Sequence, residues 1–166
     1  MELSVHIERW PLAGAFTISR GSKTEAVVVV AELGAGAHRG RGEAVPYARY
    51  DETPDGVVAA LEAMRPAVER GLDRLELQGA MRPGAARNAL DCAYWDVAAK
   101  QAGRRAYELA GLGVPAPLVT AYTISLASPA AMAEAAEKAA GRPLLKVKLG
   151  GGGDDGKRIA AVRRAA

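Results

Sequence analysis

The amino-acid sequence predicts an α+β segment, a short sheet followed by helices, that runs into a β-α-β-α stretch of parallel α/β character. Three observations carry this. Alternating apolar and polar residues fill the first third, helical spacing takes over in the middle, and after Pro117 strand-like and helix-like runs alternate. At 166 residues the chain has room for one domain, or for one domain and a piece of another.

In the first third, Leu3, Val5 and Ile7 alternate with polar neighbours, the pattern of a half-buried strand. Residues 16–19 and 25–33 read as two further strands, the second rich in valine, with a turn at Gly21-Ser22-Lys23. Four glycines among residues 34–42 predict a flexible connection, after which Glu43-Ala44-Val45-Pro46 closes a short sheet. Thr53-Pro54 then reads as an N-cap with proline at the first helical position, followed by Val57, Val58, Leu61 and Met64 at helical spacing. A second helix is predicted over residues 83–102, with Leu90, Ala93, Tyr94, Val97 and Ala98 as its apolar stripe and Gly103 as its stop. Tyr107, Leu109 and Leu112 mark a shorter helical piece before the connection at 113–117. Beyond it, residues 118–126 predict a strand, Ser128-Pro129 caps a helix to about Ala140, residues 144–149 predict another strand, and a helix starts near Lys157.

Composition excludes several classes. No apolar run approaches the roughly 18–20 residues of a membrane span, the longest being residues 26–31, and the acidic, alternating amino terminus is unlike a signal peptide. A soluble, cytoplasmic protein is expected, with no membrane partner. The single Cys92 excludes a disulfide framework and a cysteine zinc site. A net charge of +3 comes from 22 basic and 19 acidic residues that alternate, and only Arg163-Arg164 forms a dense basic cluster, so no nucleic-acid partner is expected.

The segment 144–149 holds the clearest chemistry. Side chains alternate along a strand, so Lys146 and Lys148 share one face, and Leu145, Val147 and Leu149 the other. Helices covering the apolar face would leave the lysines in a barrel interior or crevice. Two ammonium groups held together each disfavour the other's charge, which prepares one of them as a general base. An edge strand with its lysines in water is the competing reading.

The run Gly151 to Gly156 matches G-x-G-x-x-G, yet Asp154 and Asp155 put negative charge where a pyrophosphate would sit, and Arg158 stands where a P-loop needs a hydroxyl. A glycine-rich loop with acidic capping of the next helix is the better reading. His6 and His38 have no metal-ligand spacing and read as surface residues. Asp91 and Asp96 lie on different helix faces, and Cys92 reads as a small buried residue.

Three segments together resemble one family: residues 42–50 (GEAVPYARY), residues 86–100 (ARNALDCAYWDVAAK) and Lys146-Val147-Lys148. The chain resembles the enolase superfamily, muconate-lactonizing subgroup, and most resembles its L-Ala-D/L-Glu dipeptide epimerases, to which the Pro-Tyr-x-Arg-Tyr loop and residues 16–22 point. The resemblance implies an α+β capping domain (three-stranded sheet plus helices) over residues 1–115, followed over 116–166 by the first two β/α units of a TIM-like (β/α)7β barrel. It also implies roles. Lys148 moves the α-proton, Lys146 stands beside it, and Mg2+ stabilises the enediolate formed from the substrate carboxylate, the lysine-plus-metal arrangement of this superfamily. Arg20 resembles the residue that pairs with a glutamate side chain, and Thr123, Tyr47, Arg49 and Tyr50 resemble substrate contacts. The partner implied is a small dipeptide, with homo-oligomerisation of the complete enzyme left open.

The three carboxylate metal ligands of such enzymes come from the third to fifth barrel strands, and the opposing lysine from the sixth. The family pattern therefore expects neither here, and expects this amino-terminal part to be inactive alone. The alternatives are another enzyme of the subgroup, a muconate cycloisomerase or o-succinylbenzoate synthase, and a non-catalytic fragment or interaction module.

Overall fold

The computed structural model describes every residue, Met1–Ala166, and the chain divides into two compact units. One comprises Met1–Trp10 with Ala26–Pro115, the other Pro11–Glu25 with Ala116–Ala166.

Three strands form one sheet in the order β1-β2-β3: β1 (Glu2–Ile18), β2 (Gly21–Ala35) and β3 (His38–Ala44). The sequence separates strand signals at residues 3–7 and 16–19, but β1 is one strand across both. Pro11 is tolerated within it because β1 is an edge strand, where a missing N–H breaks no obligatory ladder bond. Of the expected inward residues only Leu3 is fully buried, while Ile7 is exposed.

The flexible connection expected at 34–42 is instead the end of β2, a turn at Gly36 (φ 61°) and most of β3, whose antiparallel register pairs Val29 with Ala44 and Ala35 with His38. The glycines there serve close packing. Along β3, Gly40, Gly42 and Ala44 are buried while Arg39, Arg41 and Glu43 are exposed, a strict two-residue period. Helix α3 (Ala85–Ala102) lies directly on the buried face: a Cβ at Gly42 would stand 2.0 Å from the Ala89 carbonyl oxygen, and one at Gly40 2.3 Å from that of Ala93. Only a residue without a side chain permits that approach.

The helices of this unit are α1 (Pro54–Glu69), α2 (Arg74–Ala80), α3 (Ala85–Ala102) and the single turn α4 (Ala106–Leu109). Helix α1 starts as expected, the Thr53 hydroxyl accepting from the Gly56 N–H at 3.1 Å. Helix α2 was not anticipated. Its capping box, with Asp73 accepting from the Leu75 and Glu76 amides and Glu76 accepting from the Asp73 amide, compensates for its shortness. Helix α3 buries Leu90, Ala93, Tyr94 and Val97 as expected, but Ala99 replaces Ala98 on the inner face, and Gly103 (φ 60°) ends it. Leu3, Val29, Leu33, Leu61, Leu77 and Leu90 centre the core of this unit. Cys92 does not join it: the residue is exposed. Partial burial, aided by the charge of Asp91, still pushes its thiol above the ordinary value.

The second unit contains β4 (Tyr122–Ile124), α5 (Pro129–Lys138), β5 (Leu145–Val147) and α6 (Asp155–Ala165). The two strands are parallel, with Tyr122 beside Leu145, Thr123 beside Lys146 and Ile124 beside Val147. Both are shorter than the apolar runs predict. Leu118 and Val119, expected inside the first, are exposed without a strand partner, and only the bonds from Tyr122 N to Leu144 O and from Lys148 N to Ile124 O extend the ladder. Ser128 caps α5 as expected, accepting from the Ala131 amide. Ile124, Met132, Ala136 and Val162 form a separate small core, against which Leu145 and Val147 pack. No helix is long and apolar enough to cross a membrane.

Candidate functional site

In the second unit the alternation along β5 places its residues as the sequence predicts. Leu145 and Val147 face the helices, which turns Lys146 and Lys148 to the opposite side of the two-stranded sheet. Thr123 is the parallel-register neighbour of Lys146, so both occupy that lysine-bearing face. Lys146 is exposed and Lys148 half-buried, and neither is ion-paired.

Residues 11–25, the tip of the β1–β2 hairpin, supply the rest of this site. The Thr17 carbonyl accepts from the Leu126 amide at 3.0 Å, just beyond β4, and the Thr17 and Ser22 hydroxyls share a 2.8 Å hydrogen bond across the hairpin. This brings the Phe16 ring beneath the ammonium of Lys148, 5.8 Å from the centroid, within range of a cation–π attraction. Arg20 sits exposed at the hairpin turn. The chemistry on offer is a strand-mounted amine free of carboxylates, next to a second amine and a hydroxyl-bearing side chain.

Tyr47, Arg49 and Tyr50 lie in the first unit, on the loop between β3 and α1. A 3-10 turn (Ala48–Tyr50) folds the loop back, with the Tyr50 amide donating to the Tyr47 carbonyl at 2.8 Å and Asp51 in the left-handed region at φ 57°. The two tyrosine rings meet at 5.9 Å and line a cleft of about 780 Å³ with Glu52, Met81, Arg82 and Asn88. Arg49 is exposed and is not among the residues that line it.

Two participants escaped the sequence reading. Phe16 carried a faint signal as the chain's only phenylalanine. Glu52 carried none, because its partners at residues 47 and 85 become neighbours only through the fold.

The glycine-rich loop is closed by its own acid. One Asp155 oxygen accepts from the Gly150 amide at 3.1 Å and the other from the Gly151 amide at 2.7 Å, while Arg158 pairs with the same carboxylate at 2.9 Å. These bonds, the Gly150 amide foremost, hold the Asp155 carboxyl below its usual range. The amides that a phosphate would need are therefore occupied. Asp91 and Asp96 are likewise engaged apart, the former with Arg74 and Gln78, the latter with Lys100 and the Arg41 amide. No three His, Cys, Asp or Glu side chains gather into a group able to hold a metal ion. The oxygen-rich ligand set that magnesium requires is thus not offered by these residues.

The chain belongs to the mandelate racemase / muconate lactonizing enzyme family, whose N-terminal domain matches residues 1–111. It is similar to L-Ala-D/L-Glu epimerase of Escherichia coli (strain K12), with 45% identity over 149 residues that cover 89% of this chain and 46% of that protein. Among solved structures it is similar to an enolase family member from Agrobacterium tumefaciens with homology to dipeptide epimerases, which holds sodium and L-Ala-L-Glu. That match has a TM-score of 0.94 and 56% identity over 99% of this chain and 50% of the other. The dipeptide epimerase of Enterococcus faecalis V583, complexed with Mg and L-Leu-L-Tyr, matches with a TM-score of 0.87 and 26% identity over 99% of this chain and 50% of that one. These relatives are isomerases acting on amino-acid derivatives, and the chain spans about half their length.

Proposed function

We propose that these residues form the amino-terminal half of a dipeptide epimerase that inverts the α-carbon of the carboxy-terminal residue in dipeptides of the L-Ala-L-Glu type. In this reading residues 1–115 are the capping domain, and 116–166 open a (β/α)7β barrel with β4-α5 and β5-α6. The free amine of Lys148 takes the α-proton from one face of the substrate and, as the ammonium, returns one to that face. Lys146 stands beside it on the same face of the strand. Arg20 receives the glutamate side-chain carboxylate, and Thr123, Tyr47, Arg49 and Tyr50 contact the remainder.

One observation carries the reading: the register of β5 against β4 sets Thr123, Lys146 and Lys148 on the face away from the helices, with no carboxylate paired to either lysine. Similarity to relatives that bind dipeptides supports the substrate class. Magnesium, which the Enterococcus relative holds, supplies electrophilic stabilisation of the substrate carboxylate when bound. Because the residues here offer it no ligand set, we assign its ligands and the opposing base to chain outside these 166 residues.

The test is deuterium wash-in at the α-carbon, followed by proton NMR in D2O, with the full-length protein and L-Ala-L-Glu. Exchange is expected with both L-Ala-L-Glu and L-Ala-D-Glu, and Lys148→Ala should slow it by at least about a hundredfold on one of the two stereoisomers. Unchanged exchange on both would remove Lys148 from the reaction. Activity on cyclic acids without activity on dipeptides would move the protein elsewhere in the subgroup.

A further inference from the structure

Glu52 reaches two segments at once. Its Oε1 accepts from the backbone amide of Ala85, the first residue of α3, at 2.6 Å, and its Oε2 accepts from the amide of Tyr47 at 3.1 Å. The Glu52 amide in turn donates to the Tyr47 carbonyl at 3.4 Å. Helix α3 has no cap of its own, because its N-cap residue Gly84 has no side chain to offer. Gly84 also leaves the room: a Cβ there would stand 2.8 Å from Glu52 Oε1. The 18-residue helix thus takes its capping carboxylate from a loop 33 residues away in sequence, and the same carboxylate fixes the residue that begins the tyrosine-bearing turn.

We infer that Glu52 is a positioning residue, a latch that holds the 47–52 loop against the start of α3 and so sets Tyr47 and Tyr50 on the wall of their cleft. It acts through Tyr47 and touches no reacting atom. The inference rests on the proposal that this loop contacts substrate. Both carboxylate oxygens accept from amides, and in Glu52→Gln one of them becomes an N–H donor facing another donor, so one strand of the latch must open.

The experiment has two readouts on the full-length protein. The first is amide hydrogen exchange, which needs no substrate: in Glu52→Gln at least one of the Tyr47 and Ala85 amides should exchange at least about tenfold faster, while helix α1 keeps its protection. Unchanged protection at both amides overturns the latch, whatever the activity. The second is steady-state epimerisation, where Glu52→Gln should raise KM for the dipeptide roughly tenfold with kcat within about twofold, the size of one charge-assisted hydrogen bond lost in positioning. A lowered kcat with unchanged KM also overturns the inference. Faster exchange in a protein that turns over no dipeptide would keep the latch and sink the substrate assignment instead.

Discussion

At Gly42 a single added carbon decides whether β3 and α3 can meet. The obstacle is backbone, the Ala89 carbonyl oxygen at 2.0 Å and the Ala93 nitrogen at 2.6 Å, and neither can swing aside as a side chain tip would. Gly42→Ala is therefore expected to destabilise the protein by about 3 kcal/mol, the upper end of overpacking costs, read as a lowered urea midpoint. Gly79 in α2 is the matched control, since a Cβ there meets nothing within 4 Å. Gly79→Ala should stabilise by about 0.5 kcal/mol through reduced freedom of the unfolded chain. Equal effects at the two positions would refute close strand–helix packing as the reason for the β3 glycines.

At the scale of elements, α2 shows how much a cap can do for a short helix. It has seven residues, with Leu75 exposed and only Leu77 fully buried, so its ends supply much of its stability. Asp73→Ala removes the acceptor for the Leu75 and Glu76 amides and should cost about 1 kcal/mol, with hydrogen exchange accelerating within residues 74–80 before it does in α3. A shift confined to α1 would contradict that assignment.

The same helix marks the limit of what its sequence discloses: Asp-x-x-Glu was present at 73–76, but one buried leucine is too few to reveal a period. Elements that declare themselves locally were legible, as in the Thr53-Pro54 and Ser128-Pro129 starts, the Gly103 stop, and the alternation that sends Lys146 and Lys148 away from the helices. What depends on a distant partner was not. The glycines of β3 read as a loop because their reason lies about 50 residues on, in α3. Cys92 read as buried because neighbouring apolar residues do not reveal which way a helix faces. The strands after Pro117 read long because apolar runs do not say where pairing ends.

For the whole molecule, the response to acid gathers these local features into one measurable curve. Arg41 on β3 crosses the middle strand to grip Glu8 on β1 with two bonds of 3.0 and 2.8 Å, and also pairs with Glu43 at 3.3 Å. The Arg41 hydrogen bond, seconded by those from His6 and then Trp10, holds the Glu8 carboxyl down at about 2 against an ordinary 4.5. Folding thus lowers the affinity of Glu8 for its proton. The stabilisation is complete above about pH 4.5 and is lost as the pH falls through about 2. Asp155, held by the Gly150 amide, and Glu134, held by Lys138, are shifted in the same direction, so stability should decline steadily on acidification. At the alkaline end Tyr94, raised by burial, works oppositely: its contribution is present below its ordinary value of 10 and fades as the pH rises through the elevated one. Carboxyl carbon NMR should find Glu8 still titrating at about 2 in the native protein, and near the ordinary carboxylate range in Arg41→Ala. The unfolding midpoint of Arg41→Ala should fall below that of the parent at neutral pH and converge with it toward pH 2. A gap between the two curves that stays constant from neutral pH to the acid limit would mean that Arg41 stabilises the sheet through packing of its stem, and that the bridge to Glu8 contributes nothing.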